Sequence, residues 1–241
     1  MSRTDDQIDF DDFVSDYETI INRHAAFAGG SFEHFIGVRL SLVAELTRDQ
    51  LPPDAPLQIV DFGCGIGATE QQLAGRYPRA MITGLDISTG SIAAARRRAL
   101  PNVVFQTIAP DGPMPLADNS VDLLYSNGTF HHIAAGEHLR ILGDMHRCLK
   151  PGGHVFIFEN NPLNPVMRFA MKRNPFDADA RLIFPRRMKK NLRAAGLTVM
   201  AQGFYCFYLK PFTFMRWSEK YLRWLPLGAQ YYTWATKAGR V

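Results

Sequence analysis

Between residues 57 and 160 short apolar runs alternate with amphipathic stretches, and that alternation narrows the folds open to this chain more than any other feature. LQIVDFG (57–63), AMITGLDIS (80–88), NVVFQTI (102–108), SVDLLYSN (120–127) and HVFIFEN (154–160) read as strands. ATEQQLAGRYP (68–78), SIAAARRRAL (91–100) and GEHLRILGDMHRCL (136–149) read as helices between them. Parallel strands need long crossovers, and helices supply them on the faces of the sheet. The pattern predicts an α/β fold with a doubly wound, mostly parallel sheet. RRMKKNLRAAGL (186–197) extends it as a helix closed by Gly196. LTVMAQGFYCFYL (197–209) reads as a sixth strand with a bulge at Gly203, and GAQYYTWATKA (228–238) as a seventh. Upstream, SFEHFIGVRLSLVAEL (31–46) has helical apolar spacing, with Ser31 placed to cap it.

One domain over 1–241 is expected. It comprises an N-terminal helical lid at 1–50, a core at 57–160 and a substrate-side insertion at 160–185. Cys64, Cys148 and Cys206 are far apart and form no CxxC pair, which argues against a disulfide framework or a zinc site. The acidic start lacks the apolar stretch of a signal peptide. No apolar run approaches the roughly 18 residues of a membrane-spanning helix. A cytoplasmic location is therefore expected. The net charge of +4 is unevenly spread. Residues 1–20 hold seven acids and one base, whereas 166–241 hold fifteen Lys/Arg and three acids. The basic third reads either as a solvated face or as an attraction for an anionic ligand, membrane surface or nucleic acid.

The most informative segment is Asp61-Phe62-Gly63-Cys64-Gly65-Ile66-Gly67, between the first strand and the first helix of the alternating region. Glycines there allow a tight turn and close backbone approach to a ligand. The helix N-terminus adds N–H groups that suit an anionic moiety. Asp86 ends the second strand, where a carboxylate can accept both hydroxyls of a ribose. The loop alone is ambiguous: Gly63, Gly65 and Ala68 also satisfy a G-x-G-x-x-A dinucleotide fingerprint.

DFGCGIG, GLDIS, PLADNSVDLLYSN and LKPGGHVFIFE, in that order, resemble the class I S-adenosylmethionine (SAM)-dependent methyltransferases, in their small-molecule form, over about residues 57–160. The resemblance implies a Rossmann-like methyltransferase fold: seven strands, the last antiparallel, with SAM over the carboxyl ends of the first strands. By position, Gly63, Gly65 and Gly67 shape the pocket for the methionine part, and Asp61 orients its amino group. Asp86 holds the ribose, Ile87 packs on adenine and Asp111 reaches the adenine amino group. Asn127 faces the methionine end. S-adenosyl-L-homocysteine is the implied product, and no metal is expected.

Phe130-His131-His132-Ile133 follows the fourth strand beside the expected methyl position, making His131 and His132 the candidate catalytic residues. A second reading has them only shaping the pocket. Tyr17 is a candidate lid residue. Arg168 and Arg181 in the insertion are candidates to bind an anionic acceptor, or else they decorate a solvated helix. Asp177 and Asp179 read as helix caps. The aromatic, basic stretch 204–234 reads mainly as edge-strand core and a packed helix. It also suits a hydrophobic acceptor or a peripheral membrane contact. No nucleic-acid recognition module is visible. The expected reaction is methyl transfer from SAM to a small molecule, most simply a hydroxyl oxygen of a metabolite, sugar or lipid-like compound. A nicotinamide-dependent oxidoreductase and a SAM-binding protein without catalysis stand as alternatives.

Overall fold

The structure, a computed structural model, describes residues 29–174, 177 and 179–239. Seven strands form one sheet: β1 (Gln58–Phe62), β2 (Met81–Asp86), β3 (Val103–Thr107), β4 (Val121–Asn127), β5 (Leu149–Asn160), β6 (Leu197–Tyr205) and β7 (Gln230–Lys237). Their order is β3-β2-β1-β4-β5-β7-β6. β1 to β5 pair in parallel, and β7 runs antiparallel to both β5 and β6. The strand order reverses between β1 and β4, so their carboxyl ends diverge into a crevice where a ligand can lie.

The helices are α1 (Phe32–Leu46), α2 (Ala68–Arg76), α3 (Thr89–Arg96), α4 (His138–Cys148), α5 (Pro165–Met171), α6 (Pro185–Ala194) and α7 (Glu219–Leu222). Strand side chains alternate between faces, so the two sides of the sheet feed two cores. Val60, Leu124, Val155, Ile157 and Tyr231 pack with Leu142 and Met145 of α4 and Met188 and Leu192 of α6. Ile59, Leu123, Tyr125, Phe156 and Phe158 pack with Ile36, Leu40 and Val43 of α1 and Leu73 of α2. Residues 154–160 of β5 are all buried, as expected of a strand covered on both faces.

Ser31 caps α1 by accepting from the His34 N–H at 3.1 Å. The expected bulge at Gly203 lies instead between Val199 and Ala201, while Gly203 pairs regularly with Tyr232. Gly203 serves close packing: a Cβ there would lie 2.8 Å from the Tyr232 ring. The aromatic stretch also departs from expectation. Tyr205, Tyr231 and Tyr232 are core, but Phe212, Phe214, Trp217, Tyr221 and Trp224 are exposed. They occupy a 3-10 segment, the single turn of α7 and its flank, too short to turn one face wholly inward. Among the described residues no helix is long and apolar enough to cross a membrane.

Candidate functional site

One cavity of about 1060 Å³ opens at the carboxyl ends of β1, β2, β4 and β5. At one end lies the glycine loop. Gly63, Gly65 and Gly67 have φ of +82°, +54° and +78°, a region that non-glycine residues rarely adopt. The Gly63 and Cys64 N–H groups donate to the Leu85 carbonyl at 2.7 and 3.1 Å, which fastens the loop to β2. The Asp86 carboxylate accepts from the Gly65 N–H at 2.8 Å and from the Ser88 N–H at 2.9 Å.

Asp61 lines the cavity on the α1 side of β1, and its Oδ1 is buried without a protein hydrogen bond. Burial, then the charge of Asp86, pushes its pKa up to about 8, while Arg39 opposes the shift. Arg39 is itself a buried cation lining the cavity. Its Nε donates to the Tyr125 hydroxyl at 3.1 Å. Burial would lower its pKa, but Tyr125 and Tyr205 hold it above the ordinary value. Sequence reading missed Arg39, although a signal existed. It stands at a core position of α1, between Ile36, Leu40 and Val43, where a lone arginine needs a reason.

The other end of the cavity is built on the 3-10 turn Phe130–His132. Glu159 of β5 is buried; it accepts from the Phe130 N–H at 2.8 Å and meets His131 Nδ1 at 2.5 Å. His131 Nε2 lies 3.3 Å from Asp177 Oδ1. His132 Nδ1 lies 3.0 Å from Asp179 Oδ1, and its Nε2 is 3.9 Å from Asp177 Oδ1. Burial opposes protonation of His131, but the Glu159 and Asp177 carboxylates outweigh it and push its pKa up to about 10. His132 is lowered by burial and by His131. Asp177 and Asp179, read from sequence as helix caps, thus reach the histidines instead. The helix that follows, α6, has Phe184 at its N-cap.

The cavity gathers Asp61, Gly63, Gly65, Asp86, Ile87, Asp111, Asn127, His131 and His132. It does not gather the rest. Gly67 caps α2, and a Cβ there would lie 2.8 Å from Phe105, so its space is taken by packing. Arg168 and Arg181 are exposed and outside the lining. Only the Arg181 backbone comes close, its N–H donating to the His131 carbonyl at 2.7 Å. The exposure of Arg168 and Arg181 accords with the second reading of these residues, as decoration of a solvated segment. The α5 side chains that line the cavity are Val166, Met167 and Ala170, on a different face from Arg168. Tyr17 lies outside the described residues.

A seven-stranded sheet in this order, with an acid-flanked glycine loop at its switch point, defines the Rossmann-like fold of the methyltransferases. Residues 60–157 match the family described as a methyltransferase domain, Methyltransf_11. Over 135 residues the chain is 37% identical to a trans-aconitate 2-methyltransferase of Methylobacterium nodulans, covering 54% of this chain and 50% of that protein. Over 98 residues it is 37% identical to a malonyl-[acyl-carrier protein] O-methyltransferase of Coxiella burnetii, covering 41% of this chain and 32% of that one. The chain thus spans half or less of the length of these relatives. A chain of the complex between the Haloferax volcanii Trm112 methyltransferase activator and a methyltransferase has the same fold. That likeness has a TM-score of 0.68 and 21% identity, and covers 99% of this chain and 100% of that one. Over β1 to β5, the part that the family model matches, the chain resembles the class I SAM-dependent methyltransferases.

Proposed function

We propose that this protein transfers a methyl group from SAM to an oxygen of a small-molecule acceptor. The observation that carries the reading is one continuous cavity with the Asp61–Asp86 pair at one end and the His131–His132 pair at the other. The buried, unpartnered Asp61 Oδ1 fits an ammonium group. Arg39, electrostatically linked to Asp61, supplies the complementary cation for the carboxylate of the same amino-acid moiety. Asp86 takes the ribose hydroxyls and Ile87 the adenine face, with Asp111 toward the adenine amino group. Gly63 and Gly65 leave room for the methionine chain, and Asn127 faces its sulfur end.

When bound, SAM supplies an electrophilic methyl group. The chain's own work is alignment and exclusion of water, and alignment alone is worth about 7–11 kcal/mol in favourable systems. His131 and His132 are the catalytic pair in this reading, holding the acceptor oxygen toward the methyl. Oxygen is favoured as acceptor because the malonyl-[acyl-carrier protein] relative above is an O-methyltransferase by name. In this reading the 160–185 insertion serves the acceptor end of a single domain. A contact with an anionic lipid surface is part of the same reading. Exposed Phe214, Trp217 and Trp224 alternate with Lys210, Arg216 and Lys220, the mixture found at membrane–water boundaries.

Calorimetry with S-adenosylhomocysteine and with a nicotinamide dinucleotide tests the cofactor; heat only with the dinucleotide overturns the reading. Incubation with SAM and candidate carboxylic or hydroxylated metabolites, read as a mass gain of one CH₂, tests the reaction. Unaltered turnover in a His131→Gln/His132→Gln double variant that still binds cofactor removes the histidines from it. Complete recovery of protein in the supernatant after sedimentation with phosphatidylglycerol vesicles removes the lipid contact.

A further inference from the structure

We propose that His131, His132 and Asp177 form a binding site for one divalent transition-metal ion at the acceptor end of the cavity. One nitrogen from each ring and one Asp177 oxygen lie within 4.8 Å of one another. Asp177 Oδ1 is 3.3 Å from His131 Nε2 and 3.9 Å from His132 Nε2. An ion bonded at about 2.0–2.2 Å to each of three such donors holds them roughly 3–3.6 Å apart. The two gaps to Asp177 need only sub-ångström closure, and His132, more exposed at 15% than His131 at 3%, is the ring placed to supply it.

The bracing of the two rings is the stronger argument. His131 Nδ1 meets Glu159 Oε2 at 2.5 Å, and His132 Nδ1 meets Asp179 Oδ1 at 3.0 Å. A carboxylate on the far nitrogen is how proteins orient a metal-binding imidazole and raise its basicity. Here it occurs twice, and both rings present Nε2 toward one carboxylate. Charge points the same way. Glu159, Asp177 and Asp179 are 1%, 9% and 12% exposed. Three carboxyl groups thus face two imidazoles in a space largely closed to water. Buried net charge is costly, and a divalent cation offsets it. Two imidazoles with one carboxylate favour a zinc-, iron-, cobalt- or manganese-like ion over magnesium or calcium, which prefer all-oxygen sets.

Three protein ligands leave coordination positions open on the cavity side, as in catalytic rather than structural sites. An ion there would hold an acceptor through oxygen, selecting acceptors with a carboxylate or a hydroxyl beside a carbonyl. This consequence rests on the methyl-transfer reading, and the metal site itself does not. It also means that the histidines hold the acceptor through the ion rather than by direct contact.

The test uses the full chain, stripped with a chelator and titrated with Co(II), in parallel with calorimetry against S-adenosylhomocysteine. Visible d–d absorption rising to one Co(II) per chain is expected. Asp177→Asn and His132→Gln should each abolish it, with unchanged far-UV circular dichroism and unchanged S-adenosylhomocysteine heat. Asp179→Asn should weaken Co(II) about 10–100-fold by releasing the His132 ring. Absence of stoichiometric absorption overturns the site, as does equal uptake by the Asp177→Asn and His132→Gln chains. A thiolate charge-transfer band, placing Co(II) on cysteine, does the same. Co(II) absorption without S-adenosylhomocysteine heat upholds the metal site and overturns the cofactor assignment instead.

Discussion

The chain from β1 to the end of β5 and the chain after it meet water differently. Between residues 58 and 160 no large apolar side chain is more than 48% exposed. Among the described residues every one above half lies later, including Phe169, Phe212, Phe214, Trp217, Tyr221 and Trp224. The first region is held by continuous parallel ladders with helices on both faces. The 161–228 region has β6 and α6 for packing, but its aromatic loops are tied by single polar side chains. Asn161 Nδ2 donates to the Pro226 and Gly228 carbonyls, and Asn164 Nδ2 to the Leu227 carbonyl. Glu219 accepts from the Cys206 and Phe207 N–H groups. The half covered on both faces carries the glycine loop, Asp61 and Asp86, and the more exposed half contributes Val166, Met167 and Ala170 to the same cavity.

That contrast breaks if the two regions respond alike to substitution. The largest effect should come from Phe158→Ala, fully buried near the carboxyl end of β5, costing about 3–5 kcal/mol in denaturant unfolding. Next, Asp86→Ala should weaken S-adenosylhomocysteine by about 1.5–3 kcal/mol, roughly 10- to 150-fold in calorimetry. Gly63→Ala combines a left-handed φ with a Cβ 2.2 Å from Thr129 Oγ1. It should lose about 1–3 kcal/mol of stability. At the small end, Trp224→Ser should change stability by no more than about 0.5 kcal/mol. A large loss there would mean that the second region is packed as tightly as the first.

A pH experiment sharpens the same comparison within the packed half. Burial pushes Asp61 up to about 8, and burial with the Asp61 charge holds Glu70 well above the usual carboxylate range. Both bind a proton in the folded chain that the unfolded chain has released above about pH 4–5. Stability should therefore fall as pH rises from about 4 toward 8. Glu70→Gln removes one such group and should flatten that fall, measured as thermal midpoints at pH 5 and pH 8. An unchanged slope would show that Glu70 is ionised in the native protein. Cofactor affinity should rise over the same interval, because Asp61 must be ionised to pair with an ammonium group.

Local order was legible where side-chain direction follows from backbone geometry. Alternation in strands and 3.6-residue spacing in helices announced β1 to β7 and the helices between β1 and β5, because those periods are properties of a single segment. The glycine loop and Asp86 were legible for the same reason, since a strand end, a turn and a helix start are contiguous. The acceptor end was not. His131 finds Glu159 across 28 residues and His132 finds Asp179 across 47. No period or spacing records a contact made only when β4, β5 and the following segment come together. Arg39 lies between these cases: its core-face position was visible in α1, but its partners Tyr125 and Gln230 come from β4 and β7. Sequence alone determined the sheet, its crossovers and the glycine loop. Only the tertiary structure decided which acids surround the histidines and which arginine enters the cavity, because those choices depend on through-space neighbours rather than chain neighbours.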